Sequence, residues 1–109
     1  MAEMLTLAAL AANLDRFHLI DVRDAGDHAI AHVAGAVHIP LTELRDRVSE
    51  IPAGKIAVTI CGKGGGRSTE GAVLLRRLGH ADAVWLEGGT TGWLEHNSRN
   101  NNRNTGDTG

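Results

Sequence analysis

The chain has 109 residues, 42% of them apolar and 22% charged, a composition that suits one globular domain and leaves no room for two good cores. A formal net charge of −2 excludes a broad basic surface for nucleic acid, and 3% aromatic residues exclude a base-stacking platform. One cysteine admits no internal disulfide, which fits a reducing, cytoplasmic setting and leaves the thiol for chemistry.

The stretch Leu5 to Ala12 is apolar enough to mimic the core of a signal peptide. Glu3 precedes it, no basic residue does, and no processing site follows, so it reads as an amphipathic helix. Leu7, Leu10 and Leu14 give it one apolar face, Thr6 suits its N-cap, and Asn13 and Asp15 end it. Phe17 to Val22 is a short apolar run and predicts a strand. Asp24 and Asp27 mark the start of a short helix reaching about Ile30. Ala34-Gly35-Ala36 is a turn, and Val37-His38-Ile39 is a short extended piece stopped by Pro40. Leu41, Leu44, Val48 and Ile51 predict a helix, with Glu43, Arg45, Asp46 and Arg47 on its other side. Pro52-Ala53-Gly54-Lys55 is a turn. Ile56 to Ile60 reads as a buried strand. Gly71, Leu74, Leu75 and Leu78 stripe a helix that Gly79 stops. Ala83 to Leu86 is a further strand ending at Gly88-Gly89, and Thr90 to about His96 predicts a last short helix with Trp93 and Leu94 facing inward. From Asn97 no apolar residue remains. Residues 97–109 are expected to form a disordered polar tail and 1–96 the domain. No apolar run reaches the ~18–20 residues that a membrane span needs.

Short apolar strands alternating with amphipathic helices predict an α/β fold, a parallel sheet with helices on both faces. Sites in such sheets form at the carboxyl ends of the strands, where Asp21, Cys61 and Glu87 fall. Cys61 ends the central strand. Five residues separate it from Arg67, four of them glycine, and a helical pattern opens after Arg67. A lone cysteine is more often a small buried hydrophobe, and glycine-rich turns are common. Their combination with Arg67-Ser68-Thr69 at a helix start points to a nucleophile in an anion cradle. Glycines let successive amides turn inward, and a helix N-terminus and cations favour the thiolate, which is the reactive form. The candidate site is therefore Cys61 as nucleophile, with the amides from Gly62 through Gly64, Gly65 and Gly66 to Ser68, and the charges of Lys63 and Arg67, holding the substrate. Asp21 and Arg23 read as a structural pair beside it. The six histidines show no zinc-ligand spacing beside a cysteine. The loop lacks the Gly-Lys-Ser/Thr ending of a nucleotide-binding loop. No metal or cofactor is expected.

Four segments in order carry a resemblance. Leu19-Ile20-Asp21-Val22-Arg23, the stretch from His32 to Pro40, Cys61 with its loop, and Leu86-Glu87-Gly88-Gly89 with Gly92-Trp93 resemble the signatures of single-domain rhodaneses, over about Leu5 to His96. The resemblance implies a rhodanese-like three-layer fold and a two-step sulfur transfer. In that scheme Cys61 takes a sulfane sulfur from a small anionic donor such as thiosulfate, holds it as a persulfide, and gives it to cyanide, a thiol or a protein thiol. The amides from Gly62 to Ser68 would hold the persulfide, and Lys63 and Arg67 would attract the donor. A monomer is expected.

The sequence departs from that family in ways that matter. Ala31 and Ala34 replace a Gly and a Pro often found around His32, and the polar tail replaces the usual end after Trp93. The loop has five residues between Cys61 and Arg67, where sulfurtransferases of the family commonly have four. Five is the pattern of the phosphatases and arsenate reductases built on the same fold. Against that alternative, the loop holds no acid to protonate a leaving oxygen: Gly66 stands where one would help, and Ile60, not His, precedes Cys61. A non-catalytic binding module is a third alternative, opposed by the retained cysteine.

Overall fold

A computed structural model describes residues 3–108 of the chain, with side chains for 3–98. In chain order the elements are β1 (Glu3–Leu5), α1 (Leu7–Ala12), β2 (Phe17–Asp21), α2 (Ala25–Ile30), β3 (Val37–His38), β4 (Ile56–Ile60), α3 (Gly66–Arg77), β5 (Val84–Leu86) and α4 (Gly89–Thr108). The five strands form one sheet in the order β1-β5-β4-β2-β3, and every neighbouring pair is parallel. The long ladder joins β2 to β4, from Phe17 opposite Ile56 to Asp21 opposite Ile60. Parallel strands need crossovers, and the helices supply them.

Side chains alternate across the sheet, and so two cores form. On one face Ile20, Val22, Ala57 and Cys61 pack with Leu75 of α3 and with Leu44 and Ile51. On the other, Leu19, Val58, Ile60 and Leu86 pack with Leu10 of α1 and Trp93 of α4. Both faces are thus covered, as the continuous apolar runs of β2 and β4 require. Gly71 lets α3 lie close to β4: a Cβ there would stand 3.0 Å from Thr59 Cγ2. Thr59, fully buried, donates its hydroxyl to Ser68 O at 2.6 Å, which ties the middle of β4 to the first turn of α3.

Two expectations are corrected, and one element was not expected. The segment with Leu41, Leu44, Val48 and Ile51 is not one helix but two 3₁₀ turns, Leu41–Glu43 and Val48–Glu50. Leu41 N–H is held by Val22 O at 3.0 Å, and Leu44, Glu50 and Ile51 close i→i+3 bonds onto Leu41, Arg47 and Val48. Such turns rise ~2.0 Å per residue against ~1.5 Å in an α-helix. They extend the segment and still bury Leu44 and Ile51 in the core. Leu94, expected to face inward, is 39% exposed, and Trp93 alone of the two is buried. The edge strand β1 has no signature of its own; it exists through its ladder with Val84, Trp85 and Leu86.

The expected cap of the first helix is in place. Thr6 accepts the Ala9 N–H at 3.1 Å and caps α1. Glu87, past the end of β5, accepts the Leu7 N–H at 3.1 Å, and so serves that helix start. No helix of the described residues is long and apolar enough to cross a membrane. Helix α4 starts one residue before the predicted last helix and runs on through the polar stretch to Thr108.

Candidate active site

The first residue past β4 is Cys61, whose side chain belongs to the α3 face of the sheet and is 6% exposed. The chain then turns through Gly64, Gly65 and Gly66, all with positive φ (91°, 70° and 44°). This is backbone that glycine adopts without strain. The turn swings the chain back so that α3 begins over the thiol. Cys61 Sγ lies 3.2 Å from Ser68 Oγ and 3.3 Å from Gly65 O. The buried Ser68 hydroxyl donates to Gly65 O at 2.7 Å, and the N–H of Ser68 reaches the same oxygen at 3.0 Å. Gly65 O therefore gathers the first turn of α3, and Ser68 is placed to donate to sulfur once that sulfur carries charge.

Among the described residues, the N–H groups of Lys63, Gly64, Gly65, Gly66 and Arg67 have no backbone or side-chain acceptor. The first amides of a helix lack intrahelical partners by construction, and the glycine turn extends that set backward around the thiol. The loop and the helix start thus carry a run of amides without a protein acceptor, a feature that oxyanion sites generally share.

The loop is held from outside by the second glycine turn. Thr90 N–H donates to Cys61 O at 2.8 Å and Thr91 N–H to Gly62 O at 3.0 Å, so the first amides of α4 fix the start of the loop. The two backbones touch. A Cβ on Gly89 (φ +59°) would press on Cys61 O and stand 2.7 Å from Gly64 N, and one on Gly64 would stand 2.9 Å from Gly88 N.

Beside the site, Asp21 ends β2, 1% exposed. Arg23 grips it twice, from Nε at 3.0 Å and Nη2 at 2.8 Å, and the Arg23 backbone N–H adds a third bond at 3.0 Å. His28 Nδ1 lies 2.9 Å from Oδ2, the oxygen that Arg23 Nη2 also binds; facing a carboxylate, this ring nitrogen is the donor. Burial pushes the Asp21 carboxyl up, but the bonds from Arg23 and His28 outweigh it and hold the group at about 2. The same pairing, above the cost of burial, raises Arg23 above its ordinary value. The pair is structural, as the sequence suggests, and it fixes a buried guanidinium at the end of β2. Three histidines that are scattered in the sequence stack here. His28 lies between His32 and His38, at centroid distances of 4.2 Å and 4.7 Å, and His38 Nε2 is bound to Arg23 O at 2.7 Å.

The structure brings Cys61, the loop from Gly62 to Gly66, Arg67 and Ser68 into one place. Lys63 is exposed at the loop tip. The contacts of the Arg67 guanidinium are on α2 and its cap: Asp24 Oδ2 at 3.9 Å and Asp27 Oδ2 at 4.0 Å. The sequence reading used these two aspartates only as a helix start and missed them as neighbours of the site. The clamp by Thr90 and Thr91 was missed as well. Neither has a local signal, because each depends on a segment far away along the chain. A groove of about 620 Å³, lined by Leu41, Val73 and Leu74 among others, opens beside Gly66.

Comparison with known proteins agrees with this geometry. Residues 6–96 match the family model described as a rhodanese-like domain. A probable adenylyltransferase/sulfurtransferase MoeZ of Mycobacterium tuberculosis is 39% identical over 79 residues; the match covers 71% of this chain and 20% of that longer protein, so the chain spans about a fifth of that relative. A sulfurtransferase of Allochromatium vinosum is 28% identical over 91 residues, 84% of each chain. The crystal structure of a rhodanese-related protein from Thermoplasma volcanium superposes with a TM-score of 0.77 at 29% identity, covering 86% of this chain and 92% of that one. With the parallel sheet, the cysteine at the end of its central strand and the closing glycine turn in place, the chain belongs to the rhodanese-like domain family.

Proposed function

We propose that the protein is a sulfurtransferase of the thiosulfate type, working through a persulfide on Cys61. The observation that carries this reading is the buried Cys61 thiol on the floor of a loop whose amides from Lys63 to Arg67 are free to bind an anion. The Cys61 thiolate attacks the outer sulfur of thiosulfate. A Cys61 S–S bond forms, the donor's S–S bond breaks, and sulfite leaves with the electron pair. The loop amides and the Ser68 hydroxyl then stabilise the terminal persulfide anion, as preorganised donors do. In the second step a cyanide or thiolate attacks that terminal sulfur, and Cys61 thiolate departs. The apolar groove beside Gly66 gives an acceptor larger than cyanide, such as a protein thiol, a surface to lie against. The names of sulfurtransferase relatives support the same chemistry. A thiol that must stay reduced fits a reducing compartment such as the cytoplasm.

The test is intact mass after incubation with thiosulfate, on the wild type and Cys61→Ser, followed by cyanide. Wild type is expected to gain one sulfur that cyanide removes, and Cys61→Ser to gain none.

One observation favours a second reading, a phosphatase or arsenate reductase. The loop itself has no acid, but Asp24 and Asp27 stand at its mouth beside Arg67, where a carboxyl group would protonate a leaving oxygen. That reading requires aryl phosphate hydrolysis, or arsenate reduction, by wild type that Cys61→Ser loses and Asp27→Asn weakens. A wild type without sulfur gain but with this phosphatase activity would replace the first reading by the second.

A further inference from the structure

We infer that Asp24 and Asp27 set the donor preference of the Cys61 site, turning it from small dianions toward donors of lower charge; the inference rests on the sulfur-transfer reading above. An anion cradle of this kind is ordinarily reinforced by net positive charge. Three cations belong to the segments that frame the site, Arg23 past the end of β2, Lys63 in the loop and Arg67 at the start of α3, and three carboxylates answer them. Arg23 is bound by Asp21 at 2.8 Å. Arg67 is shared between Asp24 and Asp27, 3.9 Å and 4.0 Å away. Only Lys63, at the loop tip, has no carboxylate partner among the described residues. The amides remain to hold an oxyanion, but the mouth adds no net charge to draw one in.

The two outer carboxylates have no evident structural duty. The Asp24 side chain is 85% exposed and that of Asp27 51% exposed. Asp24 stands at the N-cap of α2 yet makes no side-chain capping bond. Neither belongs to a core cluster or makes a hydrogen bond to the Asp21 hub, although the charge of Asp27 adds to the field at Arg23. Their field is another matter. A dianion at the cradle is repelled by each of them about twice as strongly as a monoanion of the same shape. The interaction lies at the surface and is therefore screened by salt.

Two sulfane donors separate charge from shape: thiosulfate, a dianion, and methanethiosulfonate, a monoanion. Each loses an outer sulfur to Cys61 thiolate, releasing sulfite or methanesulfinate with the electron pair. The rate constants for charging Cys61 are measured with both donors, by intact mass, for wild type, Asp24→Asn and Asp24→Asn/Asp27→Asn. At ~10 mM ionic strength, where screening reaches only beyond ~30 Å, the double variant is expected to raise the thiosulfate-to-thiosulfonate rate ratio about three- to tenfold. Asp24→Asn alone should give a smaller rise, and at ~1 M salt, where the screening length is ~3 Å, the gap between wild type and variants should close. If wild type is charged by both donors and the ratio does not move in either variant, the inference is overturned alone. A fall in both rates in the variants also overturns it and makes the carboxylates positioning residues. If neither donor charges wild type, the inference falls together with the sulfur-transfer reading.

Discussion

Gly89 is the position where a single methyl group does the most to the site. Its φ is +59°, and a Cβ would meet the backbone of Cys61, Gly62 and Gly64, none of which can yield without moving the cradle. Gly89→Ala is expected to cost about 1–3 kcal/mol for the backbone strain alone and to abolish the charging of Cys61, read by denaturant unfolding and intact mass side by side. Gly54→Ala serves as control: it has no positive φ and open space around it, so both readings should stay near wild type. At the same scale Cys61 was legible in the sequence, because it is the only thiol and four of the five residues after it are glycine. The role of Gly89 was legible only as a motif, since its reason is an approach of two backbones separated by more than twenty residues.

At the scale of elements, the N-termini of two helices converge on one loop. The first amides of α3 face the thiol, and those of α4 bind Cys61 O and Gly62 O. The first turn of α4 holds the loop, and Trp93, 5% exposed, anchors the helix in the core. We propose that the domain ends near His96, where the family match ends, and that the polar stretch 97–109 adds little to it. A chain truncated after His96 is expected to keep its unfolding midpoint and its rate of persulfide formation within about 0.5 kcal/mol and twofold, as changes away from packed sites usually do. A large loss of either would assign the stretch to the domain.

For the molecule as a whole, acid is the condition that should discriminate most. Asp21 is held at about 2 against an ordinary 3.8, a difference that contributes about 2 kcal/mol. This contribution is complete above about pH 4 and is lost as pH falls toward 2, where the folded state too takes up the proton. His18 acts earlier. Burial, with Lys55 and His80 nearby, lowers it below its ordinary 6.5. Below pH 6.5 the unfolded chain therefore binds more protons at this site, and stability declines with acid there as well. Urea unfolding from pH 7 to 2.5 is expected to show both declines. His18→Gln should flatten the first. Asp21→Asn should remove the second and lower stability at pH 7 by about 3–5 kcal/mol, because it leaves the buried Arg23 charge uncompensated.

The sequence by itself determined the alternation of strands and helices, the two-faced burial of β2 and β4, and the thiol in its glycine turn. These follow from periodicity, apolar runs and glycine content, which act over a few neighbouring residues and are written in consecutive letters. Tertiary structure alone decided that β1 is a strand, since an edge strand exists only through its partner's hydrogen bonds. It decided that 41–51 closes in 3₁₀ turns, because a spacing of three and four residues fits either helix and the anchor on Val22 O lies elsewhere in the chain. It also decided that Arg67 meets Asp24 and Asp27. Charges on separate segments become neighbours only after the sheet has ordered the crossovers, and so the balance of charge at the mouth of the site belongs to the fold.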